Sequence, residues 1–105
     1  MRRAARVDAN LSAIVAAFRY LGCSVNVRND SMADLDVGYG GISIIVEVKD
    51  GNKPPSARKL TPNQVDKRKT WTGGIRLVKD MADVVATVNT LRAWHKAIRG
   101  AKLTA

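Results

Sequence analysis

The stretch Asp34-Leu35-Asp36-Val37-Gly38-Tyr39-Gly40-Gly41-Ile42-Ser43-Ile44-Ile45-Val46-Glu47-Val48-Lys49 decides the fold. Its first four residues alternate polar and apolar, the period of a half-buried strand. Gly38-Tyr39-Gly40-Gly41 marks a turn, because clustered glycines reach backbone angles closed to other residues. Ile42–Lys49 is a β-branched run, expected as a central strand. Together they predict a hairpin. Side chains on a strand alternate faces, so Glu47 and Lys49 share one face while Val46 and Val48 point into a core. An acid and a lysine on an apolar strand are costly to bury unless they are paired or hold a metal. A turn near Tyr39–Gly41 brings Asp34 opposite residues 46–48, and one register sets it across from Glu47, with Cβ atoms ~5 Å apart. Two carboxylates that close are reconciled by a shared proton or a divalent cation.

Outward from the hairpin, apolar residues Leu11, Ile14, Val15, Phe18 and Leu21 predict an amphipathic helix over 8–21. Asp8 stands at its N-cap and Gly22 at its C′ position. Ser24–Asn29 alternates as a short strand. Residues 50–60 have no periodicity and are expected as an exposed loop. Thr61-Pro62-Asn63-Gln64 starts a helix to about Trp71, with Thr61 as N-cap, Pro62 at the first helical position and Gln64 closing a capping box. Ile75–Val78 is a further strand, and Asp80 caps a long helix with Val84, Val85, Val88, Leu91, Trp94 and Ile98 on one side. The order α-β-β-β-α-β-α predicts an α/β domain, a small mixed β-sheet with helices on both sides. The ends, 1–6 and 100–105, are expected to fray.

Composition sets the class. The 105 residues fit one domain. Eighteen Lys and Arg against nine Asp and Glu give a net charge of +9, which calls for a polyanion, with nucleic acid ahead of an anionic membrane surface. One cysteine, Cys23, and one histidine, His95, exclude an intramolecular disulfide and a Cys/His zinc site. No run of ~18 apolar residues and no signal peptide are seen, so a cytoplasmic protein with no membrane span is expected. Between Lys49 and Lys79, nine basic and two acidic residues net +7 (9 − 2). Lys53, Arg58, Lys59, Lys67, Arg68 and Lys69 lie there as candidate phosphate contacts. Neither long helix is expected to collect its basic residues on one face. With aromatics at 5%, base stacking is a minor term, and binding should be sequence-tolerant and strongly salt-dependent.

The acid pair implies a mechanism. Oxygen ligands suit Mg²⁺ or Mn²⁺. Such an ion, held by Asp34, Glu47 and a main-chain carbonyl such as that of Val48, would polarise a phosphate oxygen and acidify a bound water. Lys49 would orient that water and offset charge growing on the phosphate.

Asp34, the glycine hairpin and Ile45-Val46-Glu47-Val48-Lys49-Asp50-Gly51 resemble the PD-(D/E)xK nuclease superfamily. The branch most similar is that of the virus-type replication-repair nucleases (VRR-NUC), small proteins like phage-type Holliday junction resolvases. Leu60-Thr61-Pro62-Asn63-Gln64 matches the "LTP-x-Q" helix start that follows the E-x-K strand there. The resemblance spans residues 6–95. It implies a restriction-endonuclease-like core and a metal-dependent DNA endonuclease selective for branched DNA, acting in recombination or repair inside a host cell. Asp34 and Glu47 take the two acidic positions, Lys49 the lysine and Gln64 the glutamine near the active site. Asp8 matches an acid on the first helix that supports the metal in related nucleases. Ala33 stands where the motif has proline, and the first helix carries no glutamate. Symmetric incision of a junction needs two active sites, hence a homodimer. A nicking or DNA-end nuclease on the same core, or a non-catalytic basic DNA-binding module, is the alternative.

Several residues have structural readings as well. Asp36 shares the face of Asp34 and competes for its role. Lys49 also reads as a snorkelling strand end. Gln64 can act as a cap alone, and Asp8 as an N-cap alone. Cys23 reads as a small buried residue and His95 as a packing or surface histidine. Trp71 and Trp94 read as core or dimer anchors.

Overall fold

The computed structural model describes residues 9–28, 33–49, 62, 65, 66 and 69–104. Two long helices and four strands are present: α1 (Ala9–Tyr20), β1 (Ser24–Val27), β2 (Leu35–Tyr39), β3 (Ile42–Val48), β4 (Gly74–Val78) and α2 (Met81–Thr104). The strands form one mixed sheet in the order β1-β2-β3-β4. β1, β2 and β3 run antiparallel in sequence, and β4 joins β3 in parallel. A parallel neighbour requires a crossover, here the 49–73 segment. Within it Pro62, Val65 and Asp66 are helical, where the sequence predicts a helix.

The hairpin is tighter than its glycines suggest. Tyr39 pairs with Ile42, so only Gly40 and Gly41 form the turn, and Gly38 belongs to β2. Gly40 (φ +56°) and Gly41 (φ +88°) both have positive φ, the requirement of the two-residue turn that matches strand twist. The His95 ring lies against Gly40, where a Cβ would come within 2.5 Å of Cδ2, and meets Tyr39 edge-on at 5.6 Å. His95 therefore packs α2 onto the hairpin tip.

Both long helices cover the same face of the sheet. Ile14, Val15 and Phe18 of α1 and Val84, Val88 and Leu91 of α2 share one core with Leu35, Val37, Ile44, Val46, Val48 and Val78. The other face, where Ile45 and Glu47 are also buried, is not covered by either of these helices. The expected 61–71 helix falls largely outside the described residues.

Helix ends follow local chemistry. At the end of α1, Gly22 (φ +96°) sits at C′, with the Cys23 amide donating to Phe18 carbonyl at 3.0 Å and the Gly22 amide to Arg19 carbonyl at 3.0 Å. The Cys23 thiol is buried, and burial pushes its pKa up. At the start of α2, Asp80 accepts the Asp83 amide at 2.9 Å, and Asp83 accepts the Lys79 amide at 3.0 Å. α2 does not stop at Gly100 as expected. It continues to Thr104, since one interior glycine costs about 1 kcal/mol and Ala, Lys and Leu follow it. Trp71 and Trp94 are not core anchors; each is 41% exposed. Trp71 folds against Gly73, and Trp94 lies near Gly74.

Candidate active site

The opposite sheet face carries the acids. Glu47 is 5% exposed and Ile45 3%, yet neither faces the helix-side core. Glu47 sits on β3, an interior strand, so its backbone is held by neighbours on both sides. Such a position is expensive for a carboxylate unless it is partnered.

Its partners are those the hairpin brings. The last regular β2–β3 pair is Leu35 with Val46. Asp34, one residue beyond, brackets Glu47. The Asp34 amide donates to the Val46 carbonyl at 3.0 Å, and the Asp34 carboxylate accepts the Val48 amide at 2.8 Å. The Asp34 and Glu47 carboxyl groups are close enough to act on each other. Burial raises the Asp34 pKa, the Val48 amide opposes the rise, and the Glu47 charge adds to it. Lys49 Nζ lies 3.2 Å from Glu47 Oε2 with both side chains largely buried, so it is an ion-pair partner rather than a solvated strand end.

Asp36 takes no part in this cluster. Its carboxylate is held by Arg28 Nη1 at 2.8 Å and Asn26 Nδ2 at 3.1 Å, across the β1–β2 pair. Asn10 was not singled out in the sequence. Its Nδ2 donates to the Lys49 carbonyl at 2.9 Å and the Lys79 carbonyl at 3.3 Å, tying the chain after β3 and after β4 to the first turn of α1. The Lys49 amide in turn donates to the Val78 carbonyl at 2.9 Å. The available signal was an amide at the start of an amphipathic helix, where its side chain can still reach strand-end carbonyls.

Asp8, Lys53, Arg58, Lys59, Gln64, Lys67 and Arg68 lie outside the described residues. Lys69 is exposed and pairs with Asp66 at 3.3 Å. Among the described residues no group of three or more His, Cys, Asp or Glu side chains is placed to hold a metal. Two carboxylates are nevertheless enough for Mg²⁺, which is commonly bound by one or two carboxylates, water and substrate phosphates. The donor set therefore fits a hard divalent cation. No described helix is long and apolar enough to cross a membrane. Comparison of the chain with protein-family models, curated proteins and solved structures finds no match.

Proposed function

We propose that the protein is a divalent-cation-dependent DNA endonuclease on a restriction-endonuclease-like core, with Asp34, Glu47 and Lys49 as its catalytic residues. The observation that carries this is the buried Glu47, paired with Lys49 at 3.2 Å on an otherwise apolar strand, with the Asp34 carboxylate brought beside it by the Val48 amide. A structural ion pair needs one acid and one base. A second carboxyl pressed onto the first adds repulsion and desolvation and gives a purely structural pair nothing in return. The excess of acid is explained if the cluster exists to take up a cation.

Asp34 and Glu47, with the Val48 carbonyl, would hold Mg²⁺ or Mn²⁺. When bound, the ion supplies Lewis acidity toward a phosphate oxygen and a more acidic water. The chain's own residues do the rest. The Val48 amide fixes the rotamer of Asp34. Asn10 holds the backbone of Lys49 through its carbonyl. Lys49 presents an ammonium beside Glu47, where it can orient a water and offset negative charge growing on a phosphate in transit. Low exposure strengthens these electrostatic contacts. The net charge of +9 supplies long-range attraction for a phosphodiester backbone.

Preference for branched DNA and assembly as a homodimer follow from the resemblance and belong to the same proposal. The test is cleavage of a four-way junction, a flap, a linear duplex and a single strand with Mg²⁺ and with Mn²⁺. Faster cleavage of the junction supports a resolvase. Equal cleavage of all four removes the branch preference and leaves the nuclease. A protein inert on every substrate with both ions overturns the enzyme.

A further inference from the structure

Arg92, Lys96 and Arg99 are all exposed and follow one another at i, i+4 and i+7. That spacing sets them in one stripe along α2. The expectation that neither long helix gathers its basic residues on one face is therefore corrected. From residue 84 to residue 104 the chain contains no acid and four basic residues, Arg92, Lys96, Arg99 and Lys102. Among the described residues none of the three stripe side chains pairs with an acid. The helix dipole does not account for them. Its effect fades within the last turn, and Arg92 lies about three turns before Thr104.

The stripe is also separate from the acid cluster. His95, in the same part of α2, packs on Gly40 at the hairpin tip, whereas Glu47 and Lys49 are at the other end of β3. Seven strand residues place these ends about 20 Å apart. Arg92 lies close enough to Cys23 for its charge to act on the thiol, so the stripe borders the end of α1 on the helix-covered side of the sheet. The acids are on the other side.

We infer that the Arg92–Lys96–Arg99 stripe is a second contact surface for the phosphate backbone of duplex DNA, distinct from the acid cluster. At 1.5 Å of rise per residue the three side chains span about 10 Å, roughly three phosphate-to-phosphate steps of one strand at ~3.4 Å of axial rise each. The apolar side of this helix is only partly taken up by the fold, with Trp94 41% and Ile98 48% exposed. Leu91 is fully buried, Trp94 lies near Gly74 and His95 rests on Gly40. A phosphate backbone is read by charge, which the stripe supplies, and the lipid alternative is an outcome of the experiment below. The inference does not require the acid cluster to cleave anything.

The experiment measures binding of the full chain to a 30-base-pair duplex in EDTA over a range of salt concentrations. Each phosphate contact contributes about 0.9 to the slope of log K against log salt. The variant Arg92→Gln/Lys96→Gln/Arg99→Gln should therefore show a slope shallower by about 2.7. Lys96→Gln alone should lose about 0.9, which keeps the test open if the triple variant folds poorly. Arg92→Lys with Arg99→Lys should keep the wild-type slope. Arg19→Ala, whose guanidinium is held by the Val25 carbonyl at 3.2 Å, should also keep it. An unchanged slope in the triple and Lys96→Gln variants overturns the inference while leaving the nuclease proposal intact. A wild-type protein that does not bind the duplex also overturns it, as does loss of binding to phosphatidylserine vesicles with DNA binding unaffected. A slope that falls as expected, in a protein that cleaves nothing with Mg²⁺, supports the inference and overturns the nuclease.

Discussion

Asp34 and Glu47 come together at the end of the β2–β3 hairpin, and the Val48 amide clamps the Asp34 carboxylate in place at 2.8 Å. The contact joins two residues thirteen apart in sequence. Its cause is the two-glycine turn, which fixes how the two strands slide against each other. Burial and this contact also raise the Asp34 pKa, and on the proposed function the pair would make this end of the sheet respond to cations.

The first consequence is a pH dependence carried by Asp34. Its pKa is raised in the folded protein, chiefly by burial. The folded state therefore keeps a proton that the unfolded chain has already released, and stability falls as pH rises through that window. The contribution is fully present below the unfolded value and lost above the folded one. Asp34→Asn removes it and keeps an oxygen to accept the Val48 amide. Urea denaturation from about pH 4 to pH 8 should show wild type losing stability relative to Asp34→Asn as pH increases. Parallel curves would contradict the raised Asp34 pKa.

A cation held by the acid pair should stabilise the folded protein. A ligand that binds only the folded state stabilises it by RT ln(1 + [L]/Kd), about 1.4 kcal/mol at ten times Kd. Mg²⁺ in the millimolar range should raise the melting temperature of the wild type by several degrees at neutral pH. The same addition to Glu47→Gln should leave it unmoved. Equal shifts in both proteins would assign the effect to the surface and not to the acid pair.

Asn10 should matter to both stability and chemistry. Asn10→Ala leaves the Lys49 and Lys79 carbonyls without their side-chain donor. Losing a partner of a partly buried group costs about 1–3 kcal/mol. The expected outcome is a drop of that size in urea denaturation, together with slower cleavage, because the backbone that carries Lys49 is no longer held. Unchanged stability would mean that water replaces the amide at no cost.

Much of the hairpin was legible in the sequence, because alternation, turn glycines and a β-branched run all pointed the same way. The Gly22 and Asp80 caps were legible for a similar reason, since each depends on neighbours close in sequence. The placement of α1 and α2 on the same face was not. Amphipathicity says that a helix has a buried face, but not which side of a sheet receives it. Asn10 escaped notice because its partners, Lys49 and Lys79, are 39 and 69 residues away. Asp36 looked equivalent to Asp34 by spacing, and only the β1–β2 pairing, which supplies Asn26 and Arg28, separates them.

The turn offers a test of the hairpin geometry on its own. Gly40 and Gly41 both have positive φ, so alanine at either is strained by about 1–2 kcal/mol. At Gly41 a Cβ would meet open space, whereas at Gly40 it would run into the His95 ring. Gly40→Ala should therefore destabilise more than Gly41→Ala in thermal denaturation. Equal losses would mean that His95 is not packed on the turn.

The most direct test of the central claim is the rate of Mg²⁺-dependent cleavage of a four-way DNA junction by wild type and by Glu47→Gln, with junction binding measured alongside in EDTA. Glu47 is the buried member of the acid pair and the partner of Lys49. If the cluster performs the hydrolysis, wild type cleaves, and Glu47→Gln loses about a hundredfold or more in rate while still binding. Cleavage by Glu47→Gln at the wild-type rate would contradict the claim.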